Sequence, residues 1–289
     1  MLLPRFEYHQ PSDLGEACQI LADLGDSAAV LAGGTDLLVN LKNHKESPGH
    51  LVALSQLDQL KKISRNGSIS IGSGVSAATL ASGPKAVASL GGLIQSAASL
   101  GSPQIRNRAT LGGNICSARS AADLIPPLLV LDAKLVLQSS KGEREIYLNE
   151  FLLSNASTTL AAGELLTAIK LAVPAEGSGS AFMKLGQRRA MEIARVNAAA
   201  SLTLADDGKT IHSARVALGA VGPRALLSPK AEEMLKGQIA SEELFAQAGQ
   251  AAVEDASPRT CHEFKCEVVS VLTRRCLMQS WLQARGQAS

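Results

Sequence analysis

Ala28-Ala29-Val30-Leu31-Ala32-Gly33-Gly34-Thr35-Asp36-Leu37-Leu38 sets the architecture of this chain. The apolar run 28–31 suits a short strand, the paired glycines suit a turn, and Leu37, Leu38 and Leu41 restart at helical spacing. Strand, tight turn and helix make one α/β unit. A second pair lies in Thr110-Leu111-Gly112-Gly113-Asn114. Paired glycines let backbone approach a ligand closely and turn successive N–H groups inward, a concavity suited to phosphate. Thr35, Thr110 and Asn114 stand beside the pairs with hydroxyl or amide groups for ligand oxygens. Two such turns suit two phosphates; either alone reads first as a tight turn at a strand end. Gly91-Gly92 lacks such a neighbour and reads as close packing in a small-residue helix over 89–100.

On the N-terminal side, Ser12 and Asp13 can cap a helix carrying Leu14, Ala17, Cys18, Leu21 and Leu24, which Gly25 closes. On the C-terminal side, 68–71 alternates as a strand does, 134–138 and 145–147 flank Lys141-Gly142 as a hairpin, and 165–173 is a strand stopped by Pro174. The small polar stretch Pro174-Ala175-Glu176-Gly177-Ser178-Gly179-Ser180 is the candidate boundary, placed near residue 177. Beyond it, strands 199–205 and 211–218 are joined by Asp206-Asp207-Gly208-Lys209. Helices follow, opened by Ser228-Pro229 and Ser241, with a long amphipathic one over 264–282. Sheet followed by helices makes the fold class α+β.

Composition narrows the function. The 289 residues are 46% hydrophobic and 19% charged, with a formal net charge of +2, which excludes a disordered chain and disfavours a nucleic-acid binder. No run approaches the roughly 18 apolar residues of a membrane span, and no secretory leader is evident, so a cytoplasmic location is expected. The five cysteines are odd in number and show no C-x-x-C spacing, and the five histidines share no metal-ligand spacing; no metal site is expected. Neither glycine turn sits in G-x-G-x-x-G or in a P-loop motif, so the phosphates need another fold.

The first glycine segment, together with Gly101-Ser102-Pro103-Gln104-Ile105-Arg106-Asn107-Arg108-Ala109-Thr110-Leu111-Gly112-Gly113-Asn114-Ile115, closely resembles the FAD-binding medium subunit of molybdenum hydroxylases, the xanthine dehydrogenase and carbon monoxide dehydrogenase family. Ala121-Ala122-Asp123-Leu124, Gly163-Glu164-Leu165-Leu166, Phe182-Met183-Lys184-Leu185-Gly186 and Arg274-Arg275 extend the likeness in the same order along nearly the whole chain.

The resemblance implies FAD on this chain. Residues 1–176 would form an FAD-binding domain of two α/β lobes, and 177–289 an antiparallel sheet covered by helices. Val30, Leu31, Ala32, Gly33, Gly34, Thr35, Asp36 and Leu37 look like the first pyrophosphate loop, and Thr110, Gly113 and Asn114 like the second. Asp123 looks like an acceptor for sugar hydroxyls, with a helix cap before Leu124-Ile125-Pro126 as the alternative. Leu100 and Leu166 look like apolar contacts, Lys184 like an ammonium near the flavin, and Ile193 like a packing residue of a loop beside it. Cys116, just past the second loop, reads as a buried structural thiol that could react. No catalytic residue is expected.

By the same resemblance, a large partner carries the molybdenum cofactor and a small partner two two-iron clusters. This chain passes their electrons through FAD to NAD or another acceptor. Two other classes stay open: a self-sufficient flavin oxidase or reductase, and a flavin-free interaction module with the same fold.

Overall fold

The computed structural model describes residues 3–154, 156–188 and 191–287. The first lobe runs β1 (Glu7–His9), α1 (Leu14–Leu24), β2 (Ala28–Leu31), α2 (Leu37–Lys42) and β3 (His50–Ala53), with parallel strands in the order β1-β3-β2. Asp13 caps α1 by accepting from Glu16 N–H at 2.8 Å, Glu16 accepts from Ser12 N–H at 2.7 Å, and Gly25, at φ +51°, ends the helix. β1 and β3 escape the sequence reading because such short strands carry no measurable alternation.

The second lobe comprises β4 (Ile63–Asn66), β5 (Ser68–Gly72), α3 (Ala77–Ala81), α4 (Gly91–Ser99), α5 (Pro103–Arg108), α6 (Leu111–Cys116), α7 (Ile125–Val130), β6 (Lys134–Ser139), β7 (Gly142–Tyr147), α8 (Leu148–Phe151) and β8 (Leu165–Ala172). Its antiparallel sheet has the order β4-β5-β8-β6-β7. The segment 110–114, expected as a turn, is instead the start of α6. Thr110 caps that helix, and neither Gly112 nor Gly113 adopts a positive φ.

The third part is β9 (Ser178–Leu185), β10 (Val196–Leu204), β11 (Ile211–Gly219), β12 (Leu226–Leu227), α9 (Pro229–Leu235), α10 (Glu242–Asp255) and α11 (His262–Ala284). The antiparallel order is β12-β11-β10-β9. Both faces of this sheet are covered. Ala198 and Ala200 pack with Phe245, Val269 and Leu277 of the C-terminal helices, whereas Ala199, Ala217 and Phe182 join the core of the second lobe with Leu93 and Leu128. Burial on both sides explains why 196–204 reads as a near-continuous apolar run. Gly92 lets α4 press on β9: an added Cβ would lie 3.1 Å from the Ala181 backbone. The buried stripe of α11 is mixed rather than plainly apolar, carrying Thr273, Cys276 and Ser280 among its leucines.

The β10–β11 turn is fastened by one carboxylate. Asp207 accepts from Thr210 Oγ at 2.6 Å and from the N–H groups of Thr210 and Lys209, each at 2.8 Å. These bonds, led by the Thr210 hydroxyl, lower its pKa from 3.8 to about 2. A lowered pKa means the contribution is present above 3.8 and lost as pH falls through about 2. A carboxyl NMR titration should find that low midpoint, and Thr210→Val should raise it.

Candidate functional site

β2 delivers the chain into the first glycine segment. Gly34 has φ +73°, a left-handed conformation suited to glycine. Gly33 is required for another reason: its backbone passes so close to the α5–α6 connection that a Cβ would stand 1.9 Å from the Arg108 carbonyl oxygen. Pressed against that connection, the segment leaves the N–H groups of Gly33, Gly34, Thr35, Asp36 and Leu37 without a protein acceptor among the described residues. Successive unpaired amides on a concave turn form an anion-binding surface. The Asp36–Arg119 pair at 3.3 Å is half exposed on both sides and adds little.

The second segment works differently from the sequence expectation. Leu111 N–H donates to Val75 O at 2.9 Å, Gly112 N–H to Ser73 O at 2.7 Å, and Gly113 N–H to the Thr110 hydroxyl at 3.1 Å. Its amides therefore brace the loop after β5 instead of facing a ligand, because a helix start capped by a hydroxyl satisfies its own donors. What it offers a ligand is the Thr110 hydroxyl proton and the Asn114 side-chain N–H, since Asn114 Oδ1 already accepts from Leu124 N–H at 3.1 Å. A Cβ on Gly112 would lie 2.7 Å from that of Ser73, whereas one on Gly113 would meet only the Thr110 hydroxyl, at 2.9 Å. Gly112→Ala is accordingly expected to destabilise by about 1–3 kcal/mol, and Gly113→Ala by less, in thermal unfolding.

These elements enclose a cavity of about 1050 Å³, at the upper end of small-molecule sites. Val30, Ala32, Gly33, Gly34, Thr35, Asp36, Leu37, Leu100, Thr110, Gly113, Asn114, Asp123, Leu166 and Ile193 all line it. Leu31 and Lys184 do not. Leu31 packs beside Gly34, its Cδ1 3.1 Å from where a Cβ would stand, and Lys184 reaches the lining through the Asp123 carboxylate at 2.7 Å and the Glu192 carbonyl at 3.5 Å. Ile193 is 75% exposed at the mouth, with Met191 beside it. Cys116 also lines the cavity, and burial pushes its thiol up to about 12, which leaves it neutral.

Asp123 does not cap α7, whose cap position is Leu124. Its carboxylate instead pairs with Lys184 Nζ at 2.7 Å and accepts from Asn197 Nδ2 at 3.2 Å. Burial raises the Asp123 pKa, opposed by the Lys184 charge and by both hydrogen bonds. Asn197 is fully buried and escaped sequence reasoning. The signal was available: one amide in the otherwise apolar start of β10, where a buried polar group needs a partner. Asp123 from the second lobe and Lys184 and Asn197 from the third thus meet at one wall of the cavity.

FAD fits what these residues offer. Unpaired amides suit an uncharged grip on a diphosphate, a carboxylate held in place suits sugar hydroxyls, and Leu100 and Leu166 provide an apolar wall. No described helix is long and apolar enough to cross a membrane.

Residues 4–175 match the model of the FAD binding domain in molybdopterin dehydrogenase, and residues 181–280 that of the CO dehydrogenase flavoprotein C-terminal domain. The chain is 31% identical to the xanthine dehydrogenase FAD-binding subunit of Escherichia coli O157:H7, covering 97% of each. It is 33% identical to the 6-hydroxypseudooxynicotine dehydrogenase complex subunit alpha of Paenarthrobacter nicotinovorans, covering 98% of this chain and 96% of that one. It superposes on a chain of the carbon monoxide dehydrogenase of Hydrogenophaga pseudoflava with a TM-score of 0.93 at 30% identity, covering 100% of both. The chain belongs to the FAD-binding medium subunits of the molybdenum hydroxylase family, the xanthine and carbon monoxide dehydrogenase type, and is an oxidoreductase component.

Proposed function

We propose that this chain carries electrons from two two-iron clusters on a small partner subunit, through FAD, to NAD or another soluble acceptor, while a large partner oxidises substrate at the molybdenum cofactor. The row of unpaired amides at Gly33–Leu37 on the cavity wall carries this reading. When bound, FAD supplies the exchange between single-electron and paired-electron transfer. The amides, with the Thr35 and Thr110 hydroxyls and the Asn114 amide, hold the pyrophosphate. Leu31, although outside the cavity, supports the turn at Gly34. Asp123 holds a sugar hydroxyl, and Lys184 and Asn197 orient Asp123. Residues 1–176 act as the FAD-binding domain and 177–289 as the part that supplies Lys184 and closes one wall. The site operates in the cytoplasm.

A second cavity of about 620 Å³ shares Met191, Glu192 and Ile193 with the first and is bordered by Arg188, Arg195 and Lys265. Three cations beside the mouth favour an anionic acceptor such as NAD. The complex, purified with its partners and reduced chemically, should form NADH when mixed with NAD. Reduction of artificial dyes alone would move the acceptor to another class. A complex that takes up no flavin after FAD addition would overturn the reading.

A further inference from the structure

Outside the lining of the flavin cavity, the first lobe brings together three side chains that the function above does not use. Glu7 and His9 alternate along β1 and so share one face of the sheet, and β3 pairs in register so that His50 stands beside Glu7 on that face. His9 Nε2 lies 3.0 Å from His50 Nδ1, and His50 Nδ1 lies 3.3 Å from Glu7 Oε2. The three ligand atoms all fall within 4.8 Å of one another.

From these positions we propose that Glu7, His9 and His50 form a Zn²⁺ site. With both rings neutral, either His50 Nδ1 carries one proton and faces two acceptors, or His9 Nε2–H donates to it and the Glu7 carboxylate faces a lone pair. A cation satisfies all three. Tetrahedral zinc with bonds of about 2.0–2.2 Å places its ligands roughly 3.3–3.5 Å apart, so the observed separations need only small side-chain adjustment. Two imidazoles and a carboxylate match zinc in hardness and leave a fourth position for water. The two histidines are 41 residues apart in sequence, which is why no ligand spacing betrays the site. The ion joins a three-residue edge strand to the centre of its sheet, and thereby steadies β2 and the amide segment it delivers.

Zinc titrated calorimetrically into the chelator-washed holoenzyme complex should show one saturable site per copy of this chain. Loss of even an outer-shell partner costs metal sites about 10–100-fold in affinity, so His50→Ala and His9→Gln should each weaken binding by at least tenfold. FAD and iron content report folding. If His50→Ala loses them, His9→Gln, on the edge strand, is the deciding variant. The zinc X-ray absorption spectrum should show imidazole scattering. Absence of saturable binding, equal binding in the variants, or sulphur scattering from Cys261 and Cys266 would overturn the proposal.

Discussion

Gly33→Val is expected to yield a complex that assembles without FAD. The added Cβ would stand 1.9 Å from the Arg108 carbonyl oxygen, a backbone atom that no side-chain rotation can remove. Relief must come from the 33–37 segment itself, which carries the unpaired amides. A hydrogen bond to a charged group contributes about 1.5–3 kcal/mol, so losing two of them weakens FAD by roughly 10²–10⁴-fold. Flavin released by denaturation, counted per polypeptide, measures the effect. Gly49→Ala is the control, because a Cβ there meets nothing nearer than 3.8 Å and flavin content should be unchanged. Full flavin in the Gly33 variant would show that the segment does not hold the cofactor.

The second large effect is expected at Asp123. Counted as one hydrogen-bonded group, its removal would cost about 1–3 kcal/mol. The structure raises that expectation. Asp123→Ala strands the Lys184 ammonium, only 13% exposed, and leaves the Asn197 side-chain N–H without its acceptor. Breaking such a pair from one side costs about 3–5 kcal/mol. The complex should lose heat resistance as well as flavin, and Asp123→Ala with Lys184→Met should recover part of the heat resistance because the uncompensated charge is gone. Equal inactivation rates for the single and double variants would show that the ion pair contributes nothing.

Both predictions differ in cause from what the motifs suggested. Both glycine pairs line the one cavity, yet Gly33 answers to Arg108 and Gly112 to Ser73, both protein neighbours. Asp123 was legible as a polar residue before a helix, but its partners lie 61 and 74 residues away on β9 and β10. Nothing in local spacing reports a contact of that range.

Local chemistry was enough to establish the α+β class, the hairpin at Asp207, the caps of α1 and α10, and the two glycine segments that line the cavity. Each depends on residues within one turn or one strand, where side-chain type constrains the backbone directly. Which amides stay unpaired, which carboxylate is paired, and which histidines meet across β1 and β3 followed from the packing of three sheets. Those depend on register and on close approach between segments distant in the chain, and a buried donor or charge takes whichever partner the completed core places beside it.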